Sequence, residues 1–135
     1  MKKLKFRAFV DGKMVAISEI KFNKSSGEVE EIAFWLDDEL QRLNLIENKV
    51  PIMQFTGFKD KNGVEIYEGH IVKFRQPTDK RVVLKSPVKF LKSQAGFGLM
   101  EDQSEIPLYE VTANNYLEVV GVAYKDQSSL EEANA

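Results

Sequence analysis

QFTGFKDKNGVEIYEGHIVKF, residues 54–74, contains two turn signals between short apolar segments. Asn62 and Gly63 stand side by side in the first signal, and both tolerate the positive φ angles of tight hairpin turns. Gly69 gives the backbone the freedom to turn a second time. Residues 64–67 alternate with the two-residue period that is typical of strands. The stretch therefore predicts three short antiparallel strands joined by two turns. The predicted strands are residues 52–56, 64–67 and 71–74.

Residues 54–72 resemble the central signature of the YopX family, small proteins encoded by phages and prophages of mainly Gram-positive bacteria. Residues 5–9 resemble the family's N-terminal stretch, and residues 117–124 resemble its last strand. His70 stands where the family usually has Asp. The resemblance implies a small phage protein whose activity is not established, and it supplies no catalytic residues.

The composition is that of an ordinary globular protein, with 43% hydrophobic and 30% charged residues in 135. This length suits one domain, which we place at residues 1–126, followed by a flexible tail at residues 127–135. The absence of cysteine excludes disulfides, thiolate nucleophiles and zinc sites built on cysteine. We find no signal peptide and no membrane span in the sequence, and we expect the protein in the host bacterial cytoplasm.

The N-terminal part predicts a two-stranded ribbon. Residues 4–10 alternate between apolar and mostly polar side chains and predict a half-buried strand. Asp11-Gly12 predicts a hairpin turn, and residues 14–22 form the second predicted strand. Residues 29–36 fit either a strand or the opening of a helix, and we favour a strand that ends near Trp35.

Residues 37–45 are predicted as the one short helix of the fold. Asp37, Asp38 and Glu39 suit a helix N-terminus, where the helix dipole favours acidic side chains. Several apolar residues follow helical spacing: Ile32, Trp35, Leu36, Leu40 and Leu43.

The C-terminal half predicts further strands. Residues 81–91 are predicted as one strand interrupted at Ser86-Pro87, because a proline in a strand indicates an edge or a bulge. Residues 101–115 are acidic and turn-rich, and residues 116–124 are predicted as a buried closing strand. The predicted fold class is mainly β (α+β), a small twisted antiparallel sheet that curls into a partly open barrel with one short helix.

The sequence offers few groups for catalysis. His70 is the only histidine, so a catalytic triad has one possible base and a site with two histidines is excluded within one chain. We interpret His70 as a half-exposed turn residue; the alternative is a proton-transfer residue paired with Glu68 or Asp60. We therefore predict no enzyme activity and no cofactor. Six aromatic residues are expected in the core: Trp35, Phe55, Phe58, Tyr67, Phe74 and Phe90.

Two acidic clusters contain the oxygen ligands that Mg²⁺ or Ca²⁺ prefers. Neither has the regular alternation of a calcium loop, and we interpret both as solvated acidic surface, with no metal site. The clusters are Asp37-Asp38-Glu39 and Glu101-Asp102 with Glu105.

Residues 49–92 hold ten Lys or Arg against four acidic residues, and most of the basic ones follow Ile71. A basic ribbon with nearby aromatic residues is typical of surfaces that track a phosphate backbone. The pI of about 5.5 argues against that function, and the acidic segments 26–48 and 93–135 are numerous enough to cover the ribbon. The candidate nucleic-acid-binding residues are Lys73, Arg75, Lys80, Arg81, Lys85 and Lys89.

Two functions remain open from the sequence. The first, which we favour, is a non-enzymatic phage accessory protein that binds another protein or itself through an exposed strand edge. The second is a nucleic-acid-binding protein that uses the basic ribbon in phage replication or regulation. We expect no membrane partner under either hypothesis.

Overall fold

The computed structural model describes residues 3–112 and 116–123. Its contacts divide the chain into two compact units, Met1–Gln54 and Phe55–Ala135. The predicted tail at residues 127–135 lies outside the described residues, and so does Tyr124 at the end of the predicted closing strand. The placement of a single domain at residues 1–126 stays a prediction.

The first unit is an antiparallel sheet with the order β4-β3-β2-β1-β5. Its strands are β1 (Phe6–Val10), β2 (Lys13–Phe22), β3 (Val29–Leu36), β4 (Glu39–Asn44) and the first residues of β5 (Ile52–Lys59). The predicted N-terminal ribbon is confirmed, because Val10 pairs with Lys13 across a two-residue turn. Asp11 and Gly12 in that turn have φ angles of 47° and 78°. The buried centre of the unit comprises Ala8, Val15, Ile32 and Phe34.

The predicted helix at residues 37–45 is wrong, because this segment is the turn and second strand of a hairpin. Leu36 pairs with Glu39, which leaves Asp37 and Asp38 as a two-residue turn. Their φ angles are 51° and 64°, the left-handed values that a type I′ hairpin turn requires. The strand explains the apolar pattern as well as a helix does, since Trp35 and Leu40 are directly opposite each other.

The second unit contains two three-stranded antiparallel sheets, β12-β7-β8 and β11-β10-β9, and the pair formed by the rest of β5 with β6. Its elements are β6 (Glu65–Tyr67), β7 (His70–Arg75), β8 (Val83–Pro87), β9 (Lys89–Leu91), β10 (Gly96–Glu101), β11 (Ser104–Pro107), α1 (Leu108–Thr112) and β12 (Glu118–Val122). The buried centre comprises Ile66, Val72, Phe74, Val88, Leu99, Ile106, Leu108, Val111 and Leu117.

The three strands predicted in the central stretch are confirmed as β5, β6 and β7. β5 carries a bulge at Gly57, where φ is 90°. The Thr56 hydroxyl donates to the carbonyl oxygen of Ile66 at 2.7 Å and accepts from the Phe58 amide at 3.2 Å. A side chain thus maintains hydrogen bonding where the bulge interrupts the strand ladder.

The turn between β5 and β6 is longer than the Asn-Gly pair alone predicts. The Gly63 amide donates to the carbonyl oxygen of Asp60 at 3.0 Å, and the Asp60 amide donates to the carbonyl oxygen of Val64 at 2.8 Å. Gly63 has a φ of 82°, whereas Asn62 does not have a positive φ. The loop is therefore a five-residue turn with one left-handed glycine, a common hairpin geometry.

Residues 81–91 form two strands of different sheets, so the single interrupted strand predicted there is wrong. β8 ends at Pro87, and β9 begins at Lys89. The expectation that proline marks an edge is confirmed, because β8 is the last strand of its sheet. The one described helix lies at Leu108–Thr112, in the segment interpreted as turn-rich, and buries Leu108 and Val111 three residues apart.

The structure confirms a mainly antiparallel β fold with one short helix. Its sheets are partly curled, and the described strands close no barrel. Among the residues the structure describes, none of the helical segments meets the length and hydropathy of a membrane span.

Candidate functional site

β7 and β8 place three candidate residues, Lys73, Arg75 and Lys85, on one exposed surface together with Val83. Lys73 is directly opposite Lys85, and Arg75 is directly opposite Val83, so all four side chains point to the same side of the sheet. All four are exposed, whereas Val72 and Phe74 in the other register are buried. Like charges directly opposite each other on a sheet are unfavourable. Because Lys73 and Lys85 are directly opposite each other, positive charge is concentrated at the centre of this surface in spite of that cost.

Two of the candidate cations, Arg75 and Lys80, lie close to the ring of Tyr116. The guanidinium carbon of Arg75 lies 5.2 Å from the centre of the Tyr116 ring, and Nζ of Lys80 lies 5.3 Å from it. Both distances are within the range of cation–π attraction. Arg75 also donates a hydrogen bond from Nη1 to the carbonyl oxygen of Lys80 at 2.8 Å. The two cations are thus held beside an aromatic ring that is 41% exposed.

A shallow depression of about 380 Å³ lies on the same side of the sheet. We call its surroundings the basic face, which comprises Lys61, Lys73, Arg75, Lys80, Val83, Lys85, Tyr116 and Glu118. Glu118 is directly opposite Lys73 on β12, and its Oε2 atom forms an ion pair with Nζ of Lys61 at 3.2 Å. Glu110 borders a small crevice beside Arg75 and Lys80.

Arg81 and Lys89 do not belong to the basic face. Arg81 donates from Nε and Nη2 to the two carboxylate oxygens of Asp79, each at 3.0 Å. The Arg81 side chain, with its backbone amide, holds the pKa of Asp79 below the ordinary value, and Asp79 raises the pKa of Arg81. Lys89 lies on β9 and pairs with Gly98 in the other three-stranded sheet. The six predicted residues therefore do not form one continuous ribbon.

His70 is buried, with 4% of its surface exposed, so the expectation of a half-exposed turn residue is wrong. Its Nδ1 atom accepts a hydrogen bond from the Tyr67 amide at 3.1 Å, and the two rings meet edge to face. The histidine thus stabilises the turn between β6 and β7. An Asp at this position would offer a carboxylate oxygen to the same amide.

The two acidic clusters are divided between turns and the strands that flank them. Asp37 and Asp38 form the β3–β4 turn, and Asp102, with a φ of 53°, lies in the β10–β11 turn. Glu105 accepts hydrogen bonds from Ser93 and Gln94. Within residues 3–112 and 116–123, no three His, Asp or Glu side chains are grouped as metal ligands would be.

β4 is the outermost strand of the first sheet and has an open side. Leu36 and Glu39 flank the two-residue turn as a hydrogen-bonded pair, and such pairs alternate with non-hydrogen-bonded ones along an antiparallel ladder. The backbone N–H and C=O groups of Leu40 and Arg42 therefore point away from β3. We call this side of the strand the β4 edge.

The sheet surface beside the β4 edge combines an apolar pair with a charged group. Trp35 is 59% exposed and Leu40 is 39% exposed, so the expectation that Trp35 lies in the core is wrong. Nη1 of Arg42 lies 3.1 Å from Oε2 of Glu19 and 3.2 Å from Oε1 of Glu31. The hydrogen bond to Glu31 and the charge of Glu19 raise the pKa of Arg42.

The sequence of residues 5–131 matches the family model described as YopX protein. The chain belongs to the YopX family. No curated protein sequence matches it. Solved structures similar to this YopX chain include the two that follow, and at these identities the likeness shows the fold alone. Protein EF1440 from Enterococcus faecalis is 21% identical, with a TM-score of 0.67 over 95% of this chain and 98% of its own. Protein yopX from Bacillus subtilis is 22% identical, with a TM-score of 0.62 over 93% of this chain and 95% of its own.

Three aromatic residues of this YopX chain have positions or contacts that the sequence does not predict. Trp35 and Phe90 were expected in the core but are 59% and 51% exposed. Tyr116 was assigned only to the closing strand, although it contacts two candidate cations. The basic character of residues 73–85 favours contact with a nearby aromatic ring. The sequence does not identify Tyr116 as that ring, because the contact depends on the pairing of β7 with β12, whose residues lie far apart in sequence.

Proposed function

We propose that this YopX chain is a non-enzymatic accessory protein that is encoded by a phage or prophage and self-associates in the bacterial cytoplasm through the β4 edge. The family resemblance supports the phage origin. Use of the only histidine as a buried backbone acceptor supports a function without catalysis. The β4 edge itself carries the proposal.

Three of the other edge strands carry features that oppose strand addition, whereas β4 does not. β8 ends in Pro87, β12 is bulged between Val119 and Gly121, and β11 ends in Pro107. Prolines and bulges block pairing with another strand. β4 contains no proline and pairs with β3 without a register shift. It therefore presents a regular row of backbone groups to another strand.

A second copy of the chain fits this edge when two β4 strands pair antiparallel with Leu40 on the twofold axis. Leu40 then faces Leu40, so that Trp35 and Leu40 of both copies form one apolar row across four strands. The edge is thus complementary to itself in apolar contact, as a twofold interface requires.

Sedimentation velocity over a wide range of protein concentration tests this proposal. We expect the wild type to dimerise and Leu40→Pro to remain monomeric, because proline removes an outward N–H without removing a bond to β3. Leu40→Lys tests the apolar row in the same way. Val64→Lys is the control, since Val64 is a 45% exposed apolar residue in a loop of the other unit.

Circular dichroism of each variant verifies that the fold persists. A wild type that stays monomeric at every concentration contradicts the proposal, and so does a dimer that survives Leu40→Pro. If the chain stays strictly monomeric and binds a strand of a different protein, the β4 edge is a binding site for that protein. This result would also contradict self-association.

A further inference from the structure

We infer that the basic face binds the phosphodiester backbone of single-stranded nucleic acid and that Tyr116 is its stacking platform. This inference is independent of self-association, because it concerns a different sheet in the other unit. It also differs from the predicted ribbon, since it includes Tyr116 and Lys61 and omits Arg81 and Lys89.

The charge distribution on the basic face favours an anion. Among the residues that the structure describes, the cations Lys61, Lys73, Arg75, Lys80 and Lys85 lie on this face with the carboxylates of Glu118 and Glu110 on or beside it. Within residues 3–112 and 116–123, the ion pairs engage Lys61 and Arg81 but not Lys73, Arg75 or Lys80. The basic face therefore carries a net positive charge, although the whole chain has a formal charge of −2.

In the described part of the acidic C-terminal segment, Glu118 and Glu110 lie beside these cations. Glu118 is the one acidic side chain that lines the depression, and it is engaged by Lys61. The strand register places Lys73 directly opposite Lys85, so both side chains leave the same side of the sheet. A phosphate near this pair would lie close to two positively charged side chains, which favours binding of an anion.

The Tyr116 ring indicates a nucleic-acid strand with accessible bases. Exposed aromatic rings on a sheet surface stack unpaired bases, and a guanidinium beside the ring adds a second planar surface. Val83 lies opposite Arg75 and is 47% exposed, so the surface next to the cations is partly apolar. Bases stacked within a duplex cannot reach such a surface, so we assign the face to single strands.

The phosphates and the bases are then divided between two parts of the face. Lys73 and Lys85 bind the sugar-phosphate backbone of the nucleic acid at the centre of the sheet. Arg75 and Lys80, which are held beside Tyr116, bind the neighbouring phosphate. This arrangement predicts binding that depends strongly on salt and weakly on base sequence.

Fluorescence anisotropy with a labelled oligothymidylate tests the inference. We expect affinity for the wild type to fall steeply as salt rises between about 50 and 200 mM. Lys73→Gln and Arg75→Gln should each weaken binding about tenfold at low salt and lower the salt slope by about 0.7, the value for one lost phosphate contact on a single strand. Lys24→Gln, the same charge change in an exposed turn of the other unit, should leave both quantities unchanged.

Tyr116 variants separate stacking from charge. Tyr116→Phe should keep the affinity because it keeps the ring, whereas Tyr116→Leu should weaken binding about tenfold, within the range for loss of one base–aromatic stack. An equal loss in the Phe and Leu variants would contradict the stacking role. Circular dichroism confirms that each variant is folded.

Four further results would overturn the inference. The first is absence of binding at low salt, and the second is an equal loss of affinity with Lys24→Gln. The third is displacement of the oligonucleotide by polyglutamate as effectively as by unlabelled oligothymidylate, which would identify the face as a site for an acidic protein. Tighter binding of a duplex of the same length would likewise contradict the assignment to single strands.

Discussion

The Oδ2 atom of Asp60 accepts a hydrogen bond from the Val119 amide at 3.0 Å, across 59 residues of sequence. Its Oδ1 atom accepts from the amides of Asn62 and Val64 at 2.8 and 2.9 Å. The side chain is buried, with 8% of its surface exposed. One carboxylate thus fixes the β5–β6 turn and attaches it to β12, so the Asp-Lys-Asn-Gly sequence has a structural purpose beyond forming a turn.

Asp60→Asn should lower the free energy of unfolding by about 1–3 kcal/mol, because the amide retains one oxygen but leaves the Val119 amide without an acceptor. Asp60→Ala should cost at least about 3 kcal/mol, since all three amides then lose their acceptor. Urea denaturation measures both. Asp11→Asn is the control: it makes the same charge change in an exposed turn and should stay within about 0.5 kcal/mol of the wild type. Equal stabilities for Asp60→Asn and the wild type would contradict the assigned Oδ2 contact.

His70→Ala should lower the free energy of unfolding by about 2–4 kcal/mol, because it creates a cavity and leaves the Tyr67 amide without its acceptor. His70→Asn supplies an oxygen at nearly the same distance along the side chain. We therefore expect it to recover about 1 kcal/mol or more of the loss. Thermal or urea unfolding measures the difference, and equal losses for Ala and Asn would show that Nδ1 does not act as the acceptor.

The double substitution Asp37→Asn with Asp38→Gly should stabilise the protein by about 0.5–1 kcal/mol, because Asn-Gly suits the positive φ angles of a type I′ turn. A helix at residues 37–45 predicts the opposite, a loss of about 1 kcal/mol from an interior glycine. Urea denaturation at a concentration where the chain is monomeric measures the sign. A destabilised variant would contradict the hairpin.

The Asp79–Arg81 pair predicts a pH effect with a defined sign. Because Arg81 holds the pKa of Asp79 below its ordinary value, the pair stabilises the fold at pH values above that ordinary value. The contribution is lost as the pH falls through the lowered pKa, and salt screens it because both groups are exposed. An NMR titration of the Asp79 carboxyl carbon should have a lower midpoint in the wild type than in Arg81→Gln. Identical midpoints would show that the ion pair does not form in solution.

The sequence was sufficient for the parts of the fold that depend on local chemistry. The Asp11-Gly12 hairpin and the strands of the central stretch follow from turn residues and two-residue alternation. The helix predicted at residues 37–45 is wrong because the spacing of the apolar residues fits both the helical and the strand period. Two adjacent aspartates are less familiar than Asn-Gly in a tight turn, yet they adopt its positive φ angles here.

The candidate site was predictable only in part, for a similar reason. The alternation of Lys73 and Arg75 with buried neighbours identified one basic surface of β7. Strand partners are set by long-range pairing, so the sequence did not show that Lys85 would face Lys73 or that Lys89 would enter another sheet. The burial of His70 depends on contacts of the same kind.

Amide hydrogen exchange at Leu40 and Arg42, measured at low and high protein concentration, tests the proposed role of the β4 edge most directly. Both N–H groups point away from β3, so a dimer formed through this edge predicts rapid exchange in dilute protein and protection that rises with concentration. The amides of Gln41 and Leu43 face β3 and should be protected throughout. Rapid exchange of Leu40 and Arg42 at every concentration would contradict the account.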